Sequence, residues 1–110
     1  MMSQQWEALT GRLRKDFSIP GDLLSVLFLV GIQESGEGFR HFDQQEKTNL
    51  VKLGKYTLLS RAGYYDMIVV PGRDPLFIPS DDHPLPGDTK EVDNILKEEI
   101  LHYFHEHHIL

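Results

Sequence analysis

Hydrophobic and polar residues follow a helical periodicity in three segments of the chain. Each segment spaces its apolar side chains three or four residues apart, which makes one stripe along an α-helix. The segments cover residues 3–17, about 43–62 and 88–107. We therefore predict three amphipathic helices, each with one face towards a common core.

Helix start and stop signals accompany this periodicity. Asp43 and Glu46 have the spacing of a capping box, and so do Asp88 and Glu91. Gly63 suits the position just after a helix, because glycine adopts the left-handed conformation without strain. These residues predict where the later two helices begin and where the first of them ends.

Residues 20–33 predict a further helix with almost no polar face. Pro20 is acceptable in a first turn, and Asp22 suits the positive end of the helix dipole. A helix that is apolar all round is central in its fold or covered by a partner chain. Either the other helices or a homodimer must therefore cover it, and Gly54 on an apolar face indicates a close helix crossing.

Residues 64–87 contain five prolines, which exclude a continuous helix. Segments 67–70 and 76–78 could form a short hairpin around residues 71–74, followed by an extended stretch over 79–87. The predicted fold is all-α. It is a single domain over residues 1–110, a compact bundle of about four helices with a proline-rich irregular segment before the last.

Charge and composition exclude several classes of function. The net charge is −6, with +1 on residues 1–63 and −7 on residues 64–110. Nonspecific binding to nucleic acid or to an anionic membrane needs clustered positive charge, so neither is expected. The absence of cysteine excludes thiolate metal sites and cysteine nucleophiles. The longest apolar run, residues 23–32, is too short to span a bilayer, and a cytoplasmic location is expected.

A histidine-rich segment near the C-terminus suggests a metal site. Glu98, His102 and His105 fall within about 60° of one another around a helix, and His107 and His108 follow. Carboxylate and imidazole groups one turn apart can bind Zn²⁺ or Ni²⁺. The alternative is the polar flank of an amphipathic helix, with histidines near its negative end and no cofactor.

The glycine-containing loop at residues 33–42 offers groups for acid–base chemistry. Glu34, Glu37 and His41 are the residue types that such chemistry uses. The alternative is a helix–helix connection anchored by Phe39 and Phe42. No serine has the flanking glycines of a nucleophile elbow, so an enzyme is the less favoured class.

Three aromatic residues are candidates for a protein interface. Tyr64 and Tyr65 follow a helix stop and Phe77 lies in the proline-rich segment, and exposure of all three would suit an interface. The alternative for Tyr64 and Tyr65 is that they close the helix end over the core. With the apolar second helix, the three aromatic residues suggest a non-enzymatic interaction module that binds a protein partner or self-associates as a homodimer. The alternatives are a metal-binding protein or metalloenzyme at the C-terminal histidines, and a metal-free enzyme at the loop.

Five stretches of the chain resemble a family of small bacterial proteins of unknown function. They are residues 29–40, 46–47, 58–60, 63–65 and 95–104. The similarity covers most of residues 23–104 and is weakest over 67–86, and the histidine-rich tail is not a family feature. The resemblance implies no activity, cofactor or site residue.

Overall fold

A computed structural model of the chain describes residues 2–38 and 40–107. Within these ranges lie four helices and one two-stranded sheet: α1 (Met2–Phe17), α2 (Leu23–Ser35), α3 (Gln44–Arg61), β1 (Tyr65–Ile68), β2 (Leu76–Pro79) and α4 (Thr89–Glu106). The four predicted helices are confirmed. The all-α class needs one correction, because the hairpin forms and gives a mostly helical fold a small antiparallel sheet.

Side-chain caps fix the starts of α3 and α4. The Asp43 carboxylate accepts a hydrogen bond from the Glu46 N–H at 2.8 Å, and the Glu46 carboxylate accepts one from the Asp43 N–H at 3.1 Å. This is the predicted capping box. Asp88 caps α4 more simply, since its carboxylate accepts from the Lys90 N–H at 2.9 Å.

The end of α3 is a Schellman motif. The Tyr64 N–H donates to the Leu59 carbonyl at 2.9 Å, and the Gly63 N–H donates to the Ser60 carbonyl at 3.0 Å. Gly63 has φ of 92°, the left-handed conformation that glycine adopts without strain. The predicted helix stop at Gly63 is therefore confirmed, and it turns the chain directly into β1.

The bounds of α2 differ from the prediction at both ends. Asp22 is its N-cap, in an extended conformation with φ of −92° and ψ of 159°, so Pro20 lies outside the helix. The helix ends at Ser35, two residues later than predicted. Gly36 then adopts φ of 73°, and its N–H donates to the Ile32 carbonyl. The glycine, and not the first polar side chain, ends the helix.

The chain itself covers most of α2. Six residues of this helix are buried, namely Val26, Leu27, Leu29, Val30, Gly31 and Ile32. Val26, Leu27, Leu29 and Val30 share a core with residues of the other three helices, namely Leu9, Leu58 and Ile100. Ile32 belongs to a smaller cluster with Phe42 and Leu50. Leu24, with 63 % of its surface exposed, is the exception among the large apolar side chains of α2. The apolar helix therefore does not need a homodimer for cover.

The hairpin lies against α3. Its register pairs Tyr65 with Pro79 and Met67 with Phe77, so β1 begins two residues earlier than predicted. Tyr65 packs edge-on against Tyr56 of α3 with 5.1 Å between ring centroids, and Phe77 stacks on the same ring at 5.8 Å. These contacts hold the strands in this register. No helix in the described part of the chain is long and apolar enough to cross a membrane.

Candidate interaction surface

The two faces of the hairpin differ in what they contact. Residues paired across an antiparallel ladder point to the same side, and successive residues alternate. Tyr65 and Phe77 therefore share the inner face, where both contact Tyr56. Asp66, paired with Ile78, and Ile68, paired with Leu76, belong to the outer face, away from α3.

Apart from Asp66, the side chains on the outer face are apolar, and they are exposed. We call Ile68, Leu76 and Ile78 the hairpin face; their exposed fractions are 42 %, 52 % and 48 %. Met67, on the inner side by the same alternation, is also 44 % exposed, and Val69, directly after β1, is 75 % exposed. The other large apolar side chains found exposed in residues 2–38 and 40–107 are Phe17 and Leu24. Exposed apolar surface is therefore concentrated on the hairpin.

The expected exposure of the three aromatic residues is wrong, whereas the alternative for Tyr64 and Tyr65, that they close the helix end over the core, agrees with their packing against it. Tyr64, Tyr65 and Phe77 are all half-buried against their own chain. Tyr64 packs on the His83 ring with 4.1 Å between centroids, while the other two pack on α3. Their part in association stays a prediction. Because side chains alternate along a strand, a half-buried Tyr65 places Ile68 on the opposite, exposed side of β1. This alternation is the sequence signal by which the exposed side could have been found.

A second apolar surface is a groove of about 440 Å³ between α2, α3 and α4. Leu27 and Leu96 are its most buried lining residues. One face of α3 forms a wall about 16 Å long with Gln44, Lys47, Thr48, Val51, Lys52 and Lys55. In the described residues every ion pair within 4.0 Å involves an arginine, so these three lysines have no carboxylate partner there.

The predicted metal ligands lie on the last two turns of α4. Glu98, His102 and His105 are all exposed, and His108 lies outside the described residues. Across residues 2–38 and 40–107, no three His, Cys, Asp or Glu side chains come together as a group that could hold a metal ion. The metal site stays a prediction, and the described side chains supply no geometry for it.

The acid–base groups of the loop do not converge on one site. Glu34 accepts a hydrogen bond from Tyr103, and Glu37 pairs with Arg40 at 3.2 Å, while His41 is exposed. A cavity of about 150 Å³ beside Glu37 is lined by neither Glu34 nor His41. Of the two predicted anchors, Phe42 is buried against α2. Phe39 lies outside the described residues.

One polar contact between α2 and α4 was not predicted from the sequence. The Tyr103 hydroxyl donates to the Glu34 carboxylate at 2.7 Å, while 99 % of Tyr103 is buried. Burial raises the pKa of Tyr103, and the hydrogen bond and charge of Glu34 raise it further. Arg61, with its guanidinium carbon 5.6 Å from the ring centroid, acts in the opposite direction. Tyr103 therefore stays neutral and acts as a donor that joins two helices.

Arg61 also connects α3 to α4. Its guanidinium pairs with Glu106 at 2.8 Å and with Glu99 at 3.7 Å. The hydrogen bond from Arg61 is the main cause that lowers the pKa of Glu106, and nearby His107 and His102 add to it. These contacts give Arg61, Glu99 and Glu106 a structural role in joining α3 to α4.

No protein-family model, curated protein or solved structure matches the chain. The resemblance to small bacterial proteins therefore contributes nothing to the functional argument. Among the described surfaces, the hairpin face combines apolar character with the greatest exposure.

Proposed function

We propose that this chain is a non-enzymatic interaction module that self-associates through its hairpin. The supporting observation is the hairpin face, on which Ile68, Leu76 and Ile78 lie on one side of the sheet and are each about half exposed. Monomeric proteins rarely expose contiguous apolar patches unless the patch binds something. A second copy of the same chain can bind this patch with its own, because a two-fold axis brings identical apolar patches together.

The exposed hairpin, and not an uncovered α2, is the reason to expect self-association. The bundle buries most of α2, whereas the hairpin turns only its inner face towards α3. Burying the three side chains of the hairpin face would contribute roughly 1 kcal/mol or more from each, since each is half exposed. This is enough to matter for association but not enough to make a dimer independent of concentration.

Sedimentation velocity on the full chain tests the proposal. Between about 5 and 500 µM, a range that brackets weak association, we expect the weight-average sedimentation coefficient to rise with concentration. The double variant Leu76→Ser/Ile78→Ser should remain monomeric over this range. Phe17→Ser is the matched control, because Phe17 is 45 % exposed on α1 and should not affect association. A wild-type protein that stays monomeric throughout would reject the proposal.

A second candidate function is suggested by the groove between α2, α3 and α4. Three lysines without carboxylate partners occur along its α3 wall, on a chain whose net charge is −6. Positions 47 and 55 are separated by about 12 Å along the helix, so one carboxylate cannot contact both. Asp93 of α4 also lines the groove, so carboxylates of a bound helix would be favoured only along the α3 wall. An amphipathic helix with apolar residues on the face towards the floor and carboxylates on the side towards α3 would match this arrangement.

Fluorescence anisotropy with a model peptide tests this second function. The probe is a labelled peptide of about four helical turns, with leucines on one face and glutamates elsewhere. We expect Lys52→Glu/Lys55→Glu to weaken binding about tenfold and Lys15→Glu, on α1, to leave it unchanged. Binding of a scrambled peptide with equal affinity would reject the groove as a helix site.

The metal-binding alternative has its own test. Tag-free protein is titrated with Zn²⁺ and Ni²⁺ while the melting temperature is recorded. A site formed by Glu98, His102 and His105 would raise the melting temperature at micromolar metal, and His102→Ala/His105→Ala would abolish the rise. No binding below micromolar concentrations would eliminate this alternative.

A further inference from the structure

We infer that two copies of the chain pair through the free edge of β1, as antiparallel strands about a two-fold axis at Met67. The inference rests on the proposed self-association and specifies its partner, its edge and its register. A two-stranded sheet has two free edges, and their backbone groups differ in this protein. The difference selects one edge for pairing.

The hydrogen-bond alternation shows which residues of β1 have outward-facing backbone groups. The Ser80 N–H donates to the Tyr64 carbonyl at 3.0 Å, so Tyr64 and Ser80 form a hydrogen-bonded pair. Along an antiparallel ladder such pairs alternate with pairs whose N–H and C=O groups point away from the partner strand. Tyr65 and Met67 are therefore outward-facing, and Val69 is next in the alternation.

The β1 edge can both donate and accept hydrogen bonds. Tyr65, Met67 and Val69 each have an N–H as well as a carbonyl. Met67 and Val69 are exposed, and no third strand in the described part of the chain pairs with β1. No charged side chain lies at these three positions. An exposed, apolar edge with free donors and acceptors is a template for a further strand.

Prolines protect the β2 edge. By the same alternation, Phe77 and Pro79 are the outward residues of β2, and Pro75 precedes the strand at the next outward position. Proline has no N–H, so Phe77 is the one donor among these three positions. A strand added at this edge would lose most of its ladder. The β1 edge is therefore the one at which a second copy can pair.

The charge on Asp66 selects the register. A two-fold axis at Asp66 would place two carboxylates directly opposite each other, which disfavours pairing. An axis at Ile68 would place Tyr65 opposite a proline, Pro71, and shorten the ladder. An axis at Met67 pairs Tyr65 with the second copy's residue 69 and sets Asp66 opposite residue 68. The whole of β1 then takes part, and the two like charges are kept apart.

The resulting sheet has four strands in the order β2, β1, β1, β2. It carries Ile68, Leu76 and Ile78 of both copies on one side, and beside the axis the Asp66 of each copy lies opposite Ile68 of the other copy. The paired edge is short, so we expect dissociation constants of tens of micromolar or weaker, on the scale of transient contacts.

Opposite charges at residue 67 test the two-fold axis directly. Met67→Lys and Met67→Glu should each weaken self-association at least tenfold, because like charges would then face each other across the axis. An equimolar mixture of the two variants should recover association, since lysine then faces glutamate. The position is 44 % exposed, and unchanged melting temperatures would show that both variants fold.

Amide hydrogen exchange of the wild-type protein gives a measurement that needs no substitution. The outward N–H of Met67 should exchange fast in dilute protein and become protected as concentration rises. The inward N–H groups of Asp66 and Ile68 should be protected at every concentration. Protection of Phe77 in place of Met67 would overturn the inference in favour of the other edge.

The outcomes separate this inference from the proposed function. If both residue-67 variants associate like wild type, or if their mixture does not recover association, the β1 register is wrong. Self-association through the hairpin face would still stand if Leu76→Ser/Ile78→Ser abolishes it. A wild-type protein that is monomeric at all concentrations rejects both.

Discussion

Gly54 of α3 lies against the backbone of Gly31 of α2. A Cβ atom on Gly54 would be 3.0 Å from the Gly31 nitrogen and would overlap the Leu27 carbonyl oxygen. A Cβ on Gly31 would in turn be 2.6 Å from the Leu50 carbonyl carbon. The obstructing atoms belong to the backbone, so they cannot rotate away as a flexible side chain would. The two helices pack this closely because neither has a side chain at the crossing.

Alanine at either glycine should therefore destabilise the fold. We expect Gly54→Ala and Gly31→Ala each to lower the free energy of unfolding by about 3 kcal/mol, measured by urea denaturation, because α2 and α3 must move apart. Gly11→Ala is the matched control. Gly11 lies inside α1 with nothing within 4 Å of its added methyl group, so alanine should raise stability by about 0.5–1 kcal/mol. A similar effect at all three positions would contradict the close crossing.

Of these two glycines, the packing role of Gly54 could be predicted from the sequence and that of Gly31 could not. Gly54 was identified because the third helix has a polar side, and the glycine stands out on its apolar stripe. Gly31 was not, because residues 20–33 have almost no polar positions to indicate which side faces a neighbour. The partner of a helix that is apolar all round is fixed by tertiary packing, for which periodicity gives no signal.

We predict that the protein loses stability in alkali because of Tyr103. Its pKa is raised from 10.0 in the folded protein, so the protonated form is favoured by folding. The stabilisation is complete below the unfolded pKa and is lost as pH rises through the folded pKa. Above about pH 10 wild type should lose up to about 1.4 kcal/mol per pH unit relative to Tyr103→Phe. Urea denaturation of both proteins at pH 7, 9 and 10.5 measures the difference.

Two further variants separate the causes of this effect. Tyr103→Phe should cost about 1 kcal/mol at pH 7, because the hydrogen bond to Glu34 is lost. Arg61→Gln should raise the pKa of Tyr103 further, since Arg61 opposes the other causes. A spectrophotometric tyrosinate titration monitors this. A constant stability gap between wild type and Tyr103→Phe from pH 7 to 10.5 would refute the assignment.

The capping box of α3 predicts a smaller effect. Asp43→Ala removes the acceptor for the Glu46 N–H and should lower the free energy of unfolding by about 1 kcal/mol. Asp82→Ala, in the exposed stretch before α4, should change it by less than about 0.5 kcal/mol. Equal losses in the two variants would mean that the cap does not contribute.

We predict that replacing Thr57 by valine raises the stability of the fold. The Thr57 hydroxyl is buried and has no hydrogen-bond partner within the described residues. Thr57→Val keeps the shape and removes the unpaired hydroxyl, so we expect about 1 kcal/mol of added stability. The control is Thr48→Val, because the Thr48 hydroxyl donates to the Gln44 carbonyl at 3.0 Å. Thermal denaturation compares the two, and no gain at residue 57 would mean that its hydroxyl is hydrated.

Local signals account for the parts of the fold that the sequence predicted. The box at Asp43 and the stop at Gly63 each involve residues within a few positions of one another. The contact between Glu34 and Tyr103 spans 69 residues and has no such signal. The strand register was missed by two residues because residues 67–70 are all apolar, and the packing of Tyr65 on Tyr56 decided it.

The prolines around β2 have a consequence for the size of any assembly. A sheet with two open edges can add chains without limit and grow into a fibre. Here Pro75 and Pro79 leave one edge that can accept a strand, and pairing two copies through it uses both open edges at once. Growth then stops at two chains, so the prolines beside β2 also prevent the hairpin from polymerising by strand addition.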